Sequence, residues 1–396
     1  MSHFDRQARL TILSLAIGAF AVGVAEFAAM GLLPYYALDL GVSEPAAGHA
    51  VSAYAIGVVI GAPILAVLGA WLDRKTLVLL LVAFYGVANL TSALAPNLDL
   101  LVASRFLSGL PHGALLGVSM LFAAQLSPKG RGAAAIAQVL TGLTIANVIG
   151  VPAAGAIGQS FGWRWCFVIV GAVTAISALM LFRVAPSVPR DKSLNPLSEL
   201  SALANRDVLL TLLVAAIGFG AVFAVYAFLS AAMIDSANAP VWSIPLALSA
   251  FGIGATLGNF IAGRLASWSH FGGALVLLIG MILAALFYTA VVGNWMLMTV
   301  AILIMGMTAG LVIPIQMRLM EVAGTAQTLA AAMNHAAFNA GNALGPFLAG
   351  QALAAGYGWG VTGQVGAALA FGGIAMLGIA WYVAKRNPRL GLPVEA

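Results

Sequence analysis

Runs of roughly 20 apolar residues, separated by short polar stretches, recur along the whole chain. A helix of that length rises about 1.5 Å per residue and crosses a hydrocarbon core about 30 Å thick. Hydrophobic residues make up 62% of the sequence and charged residues only 7%, with a mean hydropathy of +1.04. Soluble domains of this size do not have that balance, so we predict an all-α, polytopic membrane protein.

The apolar runs predict twelve transmembrane helices, at residues 10–34, 47–70, 76–95, 99–124, 132–157, 163–184, 208–233, 242–263, 272–293, 295–317, 326–352 and 361–384. The first run is too long for a cleaved signal peptide and contains Glu26, which predicts a retained helix. The single cysteine, Cys166, excludes a disulfide framework and a cysteine-based metal site. We expect no cofactor.

Basic residues at the helix ends predict the orientation in the membrane. If every run crosses, one side carries Arg6, Arg9, Arg74, Lys75, Lys129, Arg131, the group from Arg183 to Arg206, Arg264, Arg318, Lys385, Arg386 and Arg389. The other side has only Arg164, and Arg105 lies inside a run. The positive-inside rule then places both termini in the cytoplasm. It also accounts for the net charge of +5, so we expect no nucleic-acid partner.

One polar segment, residues 185–207, divides the runs into six and six, and the two sets share a pattern. The repeated positions are Gly57, Gly61 and Trp71 with Gly254, Gly258 and Trp268, Gly109 and Gly113 with Gly306 and Gly310, and Asn147, Gly150 and Gly155 with Asn342, Gly345 and Gly350. The offset is 197 residues for the first five pairs and 195 for the last three. This repeat predicts two pseudo-symmetric six-helix halves, 1–184 and 208–396, joined by a cytoplasmic linker, 185–207.

Glu26 is the one acidic side chain deep inside an apolar run. A carboxylate near the bilayer centre is unfavourable by about 3 kcal/mol, which calls for a functional or structural reason. Arg105 has a similar predicted depth in the fourth run, so the two can form an ion pair or share a water cavity. Two interpretations follow: a permanent pair that locks the first and fourth helices, or a proton-exchange site. In the second, burial favours the protonated carboxyl and Arg105 favours the carboxylate.

His112 follows Arg105 by seven residues with Ser108 between them, so the three share one helix face. His112 has the titration range of a proton relay, and it can equally be a neutral helix contact. The other plausible cavity residues are mostly apolar or weakly polar, which favours a small amphipathic or lipophilic substrate over a polyanion. Aromatic stripes in membrane helices, however, are more often packing surfaces than ligand contacts.

Several motifs together resemble one family. They are Glu26-Phe27 with Met30-Gly31-Leu32-Leu33-Pro34, Arg105-Phe106-Leu107-Ser108-Gly109 with His112-Gly113, Gly142, Asn147, Gly150, Pro152 and Gly155, the loop residues Gly69, Asp73 and Arg74, and Asn334-His335 with Phe338-Asn339, Asn342 and Gly345. This set is similar to the twelve-helix drug:proton antiporter group of the major facilitator superfamily. The nearest subgroup is the arabinose-efflux-permease-like and chloramphenicol-resistance type. The resemblance covers nearly the full length.

The resemblance implies a proton-coupled antiporter in a bacterial inner membrane, with protons, a small molecule and the lipid bilayer as partners and a monomeric state. The implied proton-coupling residues are Glu26, Arg105 and His112. The implied cavity residues are Phe27, Met30, Tyr54, Ser108, Gln138, Asn334, His335, Phe338 and Asn339. The implied gating residues are Gly69, Asp73, Arg74, Gly142, Asn147, Gly150, Pro152, Gly155, Asn342 and Gly345. Asp73 is expected to cap a neighbouring helix and act as a latch, or else only to flank the positive charges.

The leading prediction is an exporter of lipophilic, drug-like compounds. Export of sugars or nucleosides with the same coupling is the alternative, because the asparagines of the eleventh run and Gln138 can bind hydroxyl groups. A membrane enzyme should carry paired catalytic groups such as His-Glu-x-x-His, and the sequence has none. A sensor should carry an output domain, for which the polar segments are too short.

Overall fold

The structure, a computed structural model, describes residues 3–69, 71–128, 132–188, 205–323 and 327–386, and this part of the chain is helical with no β-strand. Six helices form the first half: α1 His3–Gly31, α2 Glu44–Gly69, α3 Arg74–Ala93, α4 Leu98–Gly109 with His112–Gln125, α5 Gly132–Ile145 with Ala146–Gly150 and Val151–Phe161, and α6 Arg164–Val184. A short helix, Leu33–Asp39, follows α1.

Six helices form the second half: α7 Arg206–Gly218 with Gly220–Tyr226 and Leu229–Asp235, α8 Ser243–Trp268, α9 His270–Val291, α10 Trp295–Thr308 with Ala309–Leu311 and Val312–Val322, α11 Gln327–Ala354, and α12 Val361–Arg386. Eleven of the twelve are long and apolar enough to cross a membrane. The exception is α11, which is 28 residues long and contains three asparagines and a histidine. Most of the predicted linker, residues 189–204, lies outside the described residues, as do Lys129 and Arg131.

Prolines account for three breaks in these helices. Pro111 separates the two segments of α4. Pro152 follows a π-helical turn, Ala146–Gly150, and Pro314 follows a 3₁₀ turn, Ala309–Leu311. A proline ring clashes with the carbonyl four residues earlier and has no N–H to donate, so the preceding turn must change its pitch.

Glycines bring α2 and α4 into backbone contact. A Cβ atom at Gly57 would lie 2.2 Å from the carbonyl oxygen of Phe106, and one at Gly109 would lie 2.0 Å from the carbonyl oxygen of Tyr54. Both distances are far inside van der Waals contact, so no larger residue fits without moving a helix. Such small residues at helix crossings are typical of packing within membranes.

The second half repeats this contact between α8 and α10. A Cβ atom at Gly254 would lie 2.1 Å from the carbonyl oxygen of Leu303, and one at Gly306 would lie 2.4 Å from that of Phe251. Each of these four residues lies 197 positions after its counterpart in the first half. The prediction of two pseudo-symmetric halves is therefore confirmed, and equivalent atoms make the glycine contact in each half.

The halves contact each other along α2 with α11 and α5 with α8. The Ser52 hydroxyl of α2 donates to the Ala343 carbonyl of α11 at 3.1 Å. Gly252 of α8 fits against the backbone of Asn147 in α5, where a Cβ atom would lie 2.4 Å from the carbonyl oxygen. Side chains also meet nearer the short helix Leu33–Asp39, at the end of the molecule that we call the Asp39 end. There Leu248 of α8 fills the space beside Gly31.

The Asp39 end of the first half is tied together by one carboxylate. Asp39 forms an ion pair with Arg164 and accepts a hydrogen bond from the Trp163 indole N–H at 3.0 Å. Arg164 also donates to the Ala95 carbonyl at 3.0 Å. The hydrogen bonds from Arg164 and Trp163 hold the pKa of Asp39 below its usual value. These contacts thus join the segment after α1, the segment after α3 and the start of α6.

Candidate functional site

Three consecutive residues of α1 contact three different parts of the molecule at mid-depth. The carbonyl of Ala25 accepts from α4, the carboxylate of Glu26 accepts from α11, and the ring of Phe27 meets α7 and α8. Successive helix residues point about 100° apart, so neighbouring positions can reach different neighbours. This stretch of α1 is the centre of the candidate site.

Glu26 contacts the opposite half of the molecule directly. Its side chain is 7% exposed, and its Oε1 atom accepts a hydrogen bond from the Asn342 amide nitrogen at 3.0 Å. This is the one side chain to side chain hydrogen bond between the halves among the described residues. Asn342, predicted as a gating residue from its place in the repeat, therefore lies beside the predicted proton site.

Arg105 is fully buried but does not pair directly with Glu26, so the ion pair, one of the two arrangements predicted for these residues, does not form. The ion pairs among the described residues do not include these two side chains. Arg105 instead donates to the Ala25 carbonyl at 3.0 Å and to the Asn89 side chain at 3.5 Å, and it lies 4.2 Å from the centre of the Tyr54 ring. The carboxylate turns towards α11, while the guanidinium meets the α1 backbone one residue earlier.

His112 is held in a buried hydrogen-bonded chain with two tyrosines. Its Nδ1 atom lies 2.8 Å from the Tyr54 hydroxyl, which lies 2.9 Å from the Tyr85 hydroxyl. Tyr85 donates to the Val22 carbonyl of α1 at 3.4 Å. The chain joins α4, α2, α3 and α1, so His112 belongs to the same polar centre as Arg105 despite the break at Pro111.

Six aromatic side chains, which we call the ring cluster, pack against one another across the contact between the halves. They are Phe27, Phe219, Phe223, Tyr226, Phe251 and Phe338. Phe27 alone comes from the first half, with its ring centre 5.8 to 6.1 Å from three rings of the second half. The second half contributes the closer pairs, Tyr226 with Phe251 at 4.4 Å and Phe219 with Phe338 at 4.5 Å. The polar chemistry and the aromatic surface thus lie mostly in opposite halves.

Asparagines of α11 present buried amide oxygens without a partner. Asn339 donates to the His335 carbonyl of its own helix, and Asn334 donates to Gln316 at 2.6 Å, but both amide oxygens are unpaired. The Oδ1 atoms of Asn342 and Asn147 are also buried and unpaired. His335, Asn339 and Asn342 lie on one helix face by their spacing of four and three residues. This face offers acceptors to a donor-bearing ligand.

Three other predicted cavity residues are either buried in the packing or exposed on the outside. Met30 is 1% exposed and packs in the core, and the Ser108 hydroxyl is fully buried and donates to the Arg105 carbonyl. Gln138 is exposed on the first segment of α5. The structure therefore brings Phe27, Tyr54, His335, Phe338 and Asn339 towards the centre, and it does not place these other three beside them.

Two of the predicted gating glycines of α5 pack within their own half, and the third lies at the contact between the halves. A Cβ atom at Gly142 would lie 2.0 Å from the Ala16 carbonyl oxygen, and one at Gly150 would lie 2.7 Å from Val24, both in α1. Gly345 of α11 meets Gly220 of α7 in the same way. A Cβ atom at Gly155 would lie 3.6 Å from Leu248 of α8, which is ordinary contact with the other half. The tighter approach between α5 and α8 is that of Gly252 to Asn147.

The other predicted gating residues have local structural roles. Pro152 follows the π-helical turn of α5, and Gly155 packs beside Leu248 without crowding. Asp73 caps α3, the helix that it precedes, by accepting from the Thr76 backbone N–H at 3.0 Å. The cap predicted at Asp73 therefore belongs to the helix that follows it in the chain. The hydrogen bonds from Thr76 hold its pKa below the usual value.

Gly69 and Arg74 flank this cap on either side. Gly69 ends α2 beside the Leu77 side chain, and Arg74 is the first residue of α3.

Four site residues escaped the sequence reasoning: Tyr85, Asn89, Phe219 and Phe251. Tyr85 and Asn89 are fully buried on one face of α3, four residues apart. An asparagine and a tyrosine at that spacing inside an apolar run were a usable signal, because buried polar groups in membranes need partners. Phe251 is the repeat counterpart of Tyr54, so the repeat itself pointed to it. The described residues contain no group of three potential metal ligands.

Comparisons with known proteins agree with this arrangement. The family model described as Major Facilitator Superfamily matches residues 15–320. The inner membrane transport protein YdhP of Escherichia coli (strain K12) is 37% identical over 381 residues, covering 95% of this chain and 96% of its own. The chloramphenicol resistance protein of Streptomyces lividans is 32% identical over 353 residues, 87% and 89% of the two chains.

A solved structure shows the same fold. The nucleoside transporter NupG superposes with a TM-score of 0.71 at 15% sequence identity, covering 92% of this chain and 99% of the other. At that identity the similarity concerns the fold alone. The matched family model, the full-length relatives and the two repeated six-helix halves lead to one conclusion: this chain belongs to the Major Facilitator Superfamily of membrane transporters.

Proposed function

We propose that this protein is a proton-coupled antiporter that exports small lipophilic or amphipathic, drug-like compounds by alternating access. One observation carries the proposal: Glu26, a carboxyl group in the C-terminal part of α1, is buried where the two halves meet and is hydrogen-bonded to Asn342 of the other half. Intramembrane carboxyl groups without a fixed ion-pair partner are typical of proton paths.

Proton exchange at Glu26 has a direct effect on the contact between the halves. The hydrogen bond from Asn342 to a carboxylate is charge-assisted, and it becomes roughly half as strong when the carboxyl group is protonated. Loading a proton therefore weakens one tie between the halves, and releasing it restores that tie. Arg105 contributes by stabilising the carboxylate through the field of a buried cation rather than by contact.

The ring cluster supports a lipophilic substrate. Phe27 follows Glu26 in the chain and its ring centre lies 5.8 to 6.1 Å from three other rings of the cluster, so an aromatic group bound there would lie close to the proton site. The unpaired amide oxygens of Asn339 and Asn342 add acceptors for hydroxyl or N–H groups. The relative named as a chloramphenicol resistance protein supports the same substrate class.

Export of sugars or nucleosides with the same coupling is the second candidate. The acceptor face of α11 favours it, since hydroxyl groups are donors. Six aromatic rings facing that surface favour the lipophilic class instead. Protection of cells against a panel of lipophilic antibiotics, measured beside efflux of labelled pentoses and nucleosides, separates the two.

Several further features belong to this proposal. The excess of Lys and Arg on one side places both termini in the cytoplasm of a bacterial inner membrane. Gly69, Asp73 and Arg74, together with Asn147, Gly150 and Pro152, serve the gating movement between states. The protein acts as a monomer of two halves, 1–184 and 208–396, joined by the cytoplasmic linker 185–207.

The decisive test measures proton movement in proteoliposomes when chloramphenicol is added, with a pH-sensitive dye inside. Wild type is expected to exchange protons for the drug. Glu26→Gln is expected to bind the drug but move no protons, whereas Glu44→Gln, the same change at the start of α2, should behave as wild type. If Glu26→Gln still transported the drug uphill under a pH gradient, Glu26 would not be the residue that couples proton movement to drug transport.

A further inference from the structure

The side chains of Tyr85, Tyr54 and His112 form a hydrogen-bonded chain that ends on a backbone carbonyl. The Tyr85 hydroxyl lies 3.4 Å from the carbonyl oxygen of Val22, the two tyrosine hydroxyls are 2.9 Å apart, and Tyr54 lies 2.8 Å from Nδ1 of His112. None of the three side chains is more than 2% exposed. Each phenol has one hydrogen to donate, which limits how the chain can be arranged.

The carbonyl of Val22 sets the direction of this chain, because a carbonyl oxygen can only accept. The Tyr85 hydrogen points to Val22, so the Tyr85 oxygen accepts from Tyr54. The Tyr54 hydrogen is then used, and its oxygen accepts from Nδ1 of His112. In this arrangement every donor of the chain has an acceptor.

The opposite direction loses one hydrogen bond. If Tyr54 donated to Nδ1, the hydrogen of the neutral imidazole would be on Nε2. The single hydrogen of Tyr54 would then be used, so the contact between the two phenols would need the hydrogen of Tyr85. Tyr85 could then no longer donate to the Val22 carbonyl.

We propose that Tyr54 and Tyr85 are positioning residues that hold neutral His112 in the Nδ1–H tautomer and leave the Nε2 lone pair as the proton acceptor. Protonation at Nε2 forms one N–H bond and leaves every hydrogen of the chain in place, since the imidazolium keeps its Nδ1–H. The other tautomer would take its proton at Nδ1, which requires both phenol hydrogens to reverse. The chain thus lets His112 gain or lose a proton without rearranging its surroundings.

The part that His112 plays in transport rests on the proposed function, while its tautomer does not. The groups near it are the Tyr54 ring at 5.7 Å and the guanidinium of Arg105 on that same ring, and α11, which packs against this segment of α4, carries His335. Among the described residues, the hydrogen bond of the His112 ring is the one that Nδ1 makes with Tyr54. A result that refutes the proposed antiport would therefore leave the tautomer assignment intact, and a result that refutes the tautomer assignment would leave the proposed antiport intact.

The test is nuclear magnetic resonance of the full chain in lipid, labelled with ¹³C and ¹⁵N histidine. His112→Gln identifies the His112 signals among the five histidines. Wild type is expected to show the Nδ1–H tautomer. Tyr85→Phe removes the acceptor of Tyr54, whose hydrogen then turns to Nδ1, so His112 is expected to change to Nε2–H. Tyr288→Phe, which removes a buried phenol of the other half, should leave the tautomer unchanged.

Two results would overturn the inference. One is an Nε2–H tautomer in the wild-type protein, which decides the matter even if Tyr85→Phe does not fold. The other is a folded Tyr85→Phe protein whose His112 keeps the wild-type tautomer. The proteoliposome assay with Glu26→Gln, run separately, judges the proposed antiport.

Discussion

Replacing Gly252 by alanine should weaken the contact between the halves without weakening either half. A Cβ atom there would lie 2.4 Å from the carbonyl oxygen and 2.7 Å from the carbonyl carbon of Asn147. Ordinary contact is about 3.5 Å, so α5 and α8 must separate by roughly 1 Å. Overpacking of this kind is unfavourable by about 1 to 3 kcal/mol, which shifts an equilibrium between states about 5- to 150-fold.

The assay is the distance between spin labels at Phe161 and Val241, exposed residues near the ends of α5 and α8, in a Cys166→Ser background. Pulsed electron paramagnetic resonance should show that fewer molecules have the two labels close together in Gly252→Ala than in the parent. Gly254→Ala is the matched control, because its Cβ atom would meet Leu303 of its own half at 2.1 Å. The control should lower the melting temperature and leave the label distance alone. An unchanged distance distribution in Gly252→Ala would refute the reasoning.

Three further outcomes are expected. Asn342→Ala leaves the Glu26 carboxylate buried without its donor, so the contact between the halves should weaken by about 1 to 3 kcal/mol, measured with the same spin labels; an unchanged distribution would contradict the role of that bond. Phe251→Ala removes a ring from the cluster and should weaken binding of aromatic drugs about two- to tenfold, with little change for aliphatic cations of equal size. Asp39→Asn should lower the melting temperature at neutral pH. Because the folded state holds the pKa of Asp39 below its value of 3.8, the carboxylate stabilises the fold above about pH 4, and the difference from wild type should vanish as the pH falls through the lowered pKa. A constant difference down to pH 3 would exclude the ion pair as its cause.

Sequence reasoning was most successful where the cause is local. The length of an apolar run determines whether it can cross a membrane, and eleven of the twelve predicted spans meet that criterion in the structure. The prediction of pseudo-symmetric halves also held, because Gly57 and Gly254 sit at positions where two helix backbones touch. Such a position tolerates only glycine, so the contact appears in the sequence as an equivalent glycine in each half.

Sequence reasoning failed where partners are chosen by the arrangement of helices around α1. Depth along a helix suggested that Glu26 and Arg105 pair, but depth gives no angle about the helix axis. The angle directs Glu26 to α11 and leaves Arg105 on the Ala25 carbonyl. The same ambiguity hid Tyr85.

The sequence by itself determined that this chain is a twelve-helix membrane protein of two repeated halves with one carboxyl group in its interior. Hydrophobic length, glycine spacing and the unfavourable burial of a charge are properties of single segments, so they can be read from the chain alone. Only the tertiary structure decided that Glu26 binds Asn342, 316 residues away. It alone assembled the ring cluster from four helices, because both depend on how the helices are rotated and packed against one another.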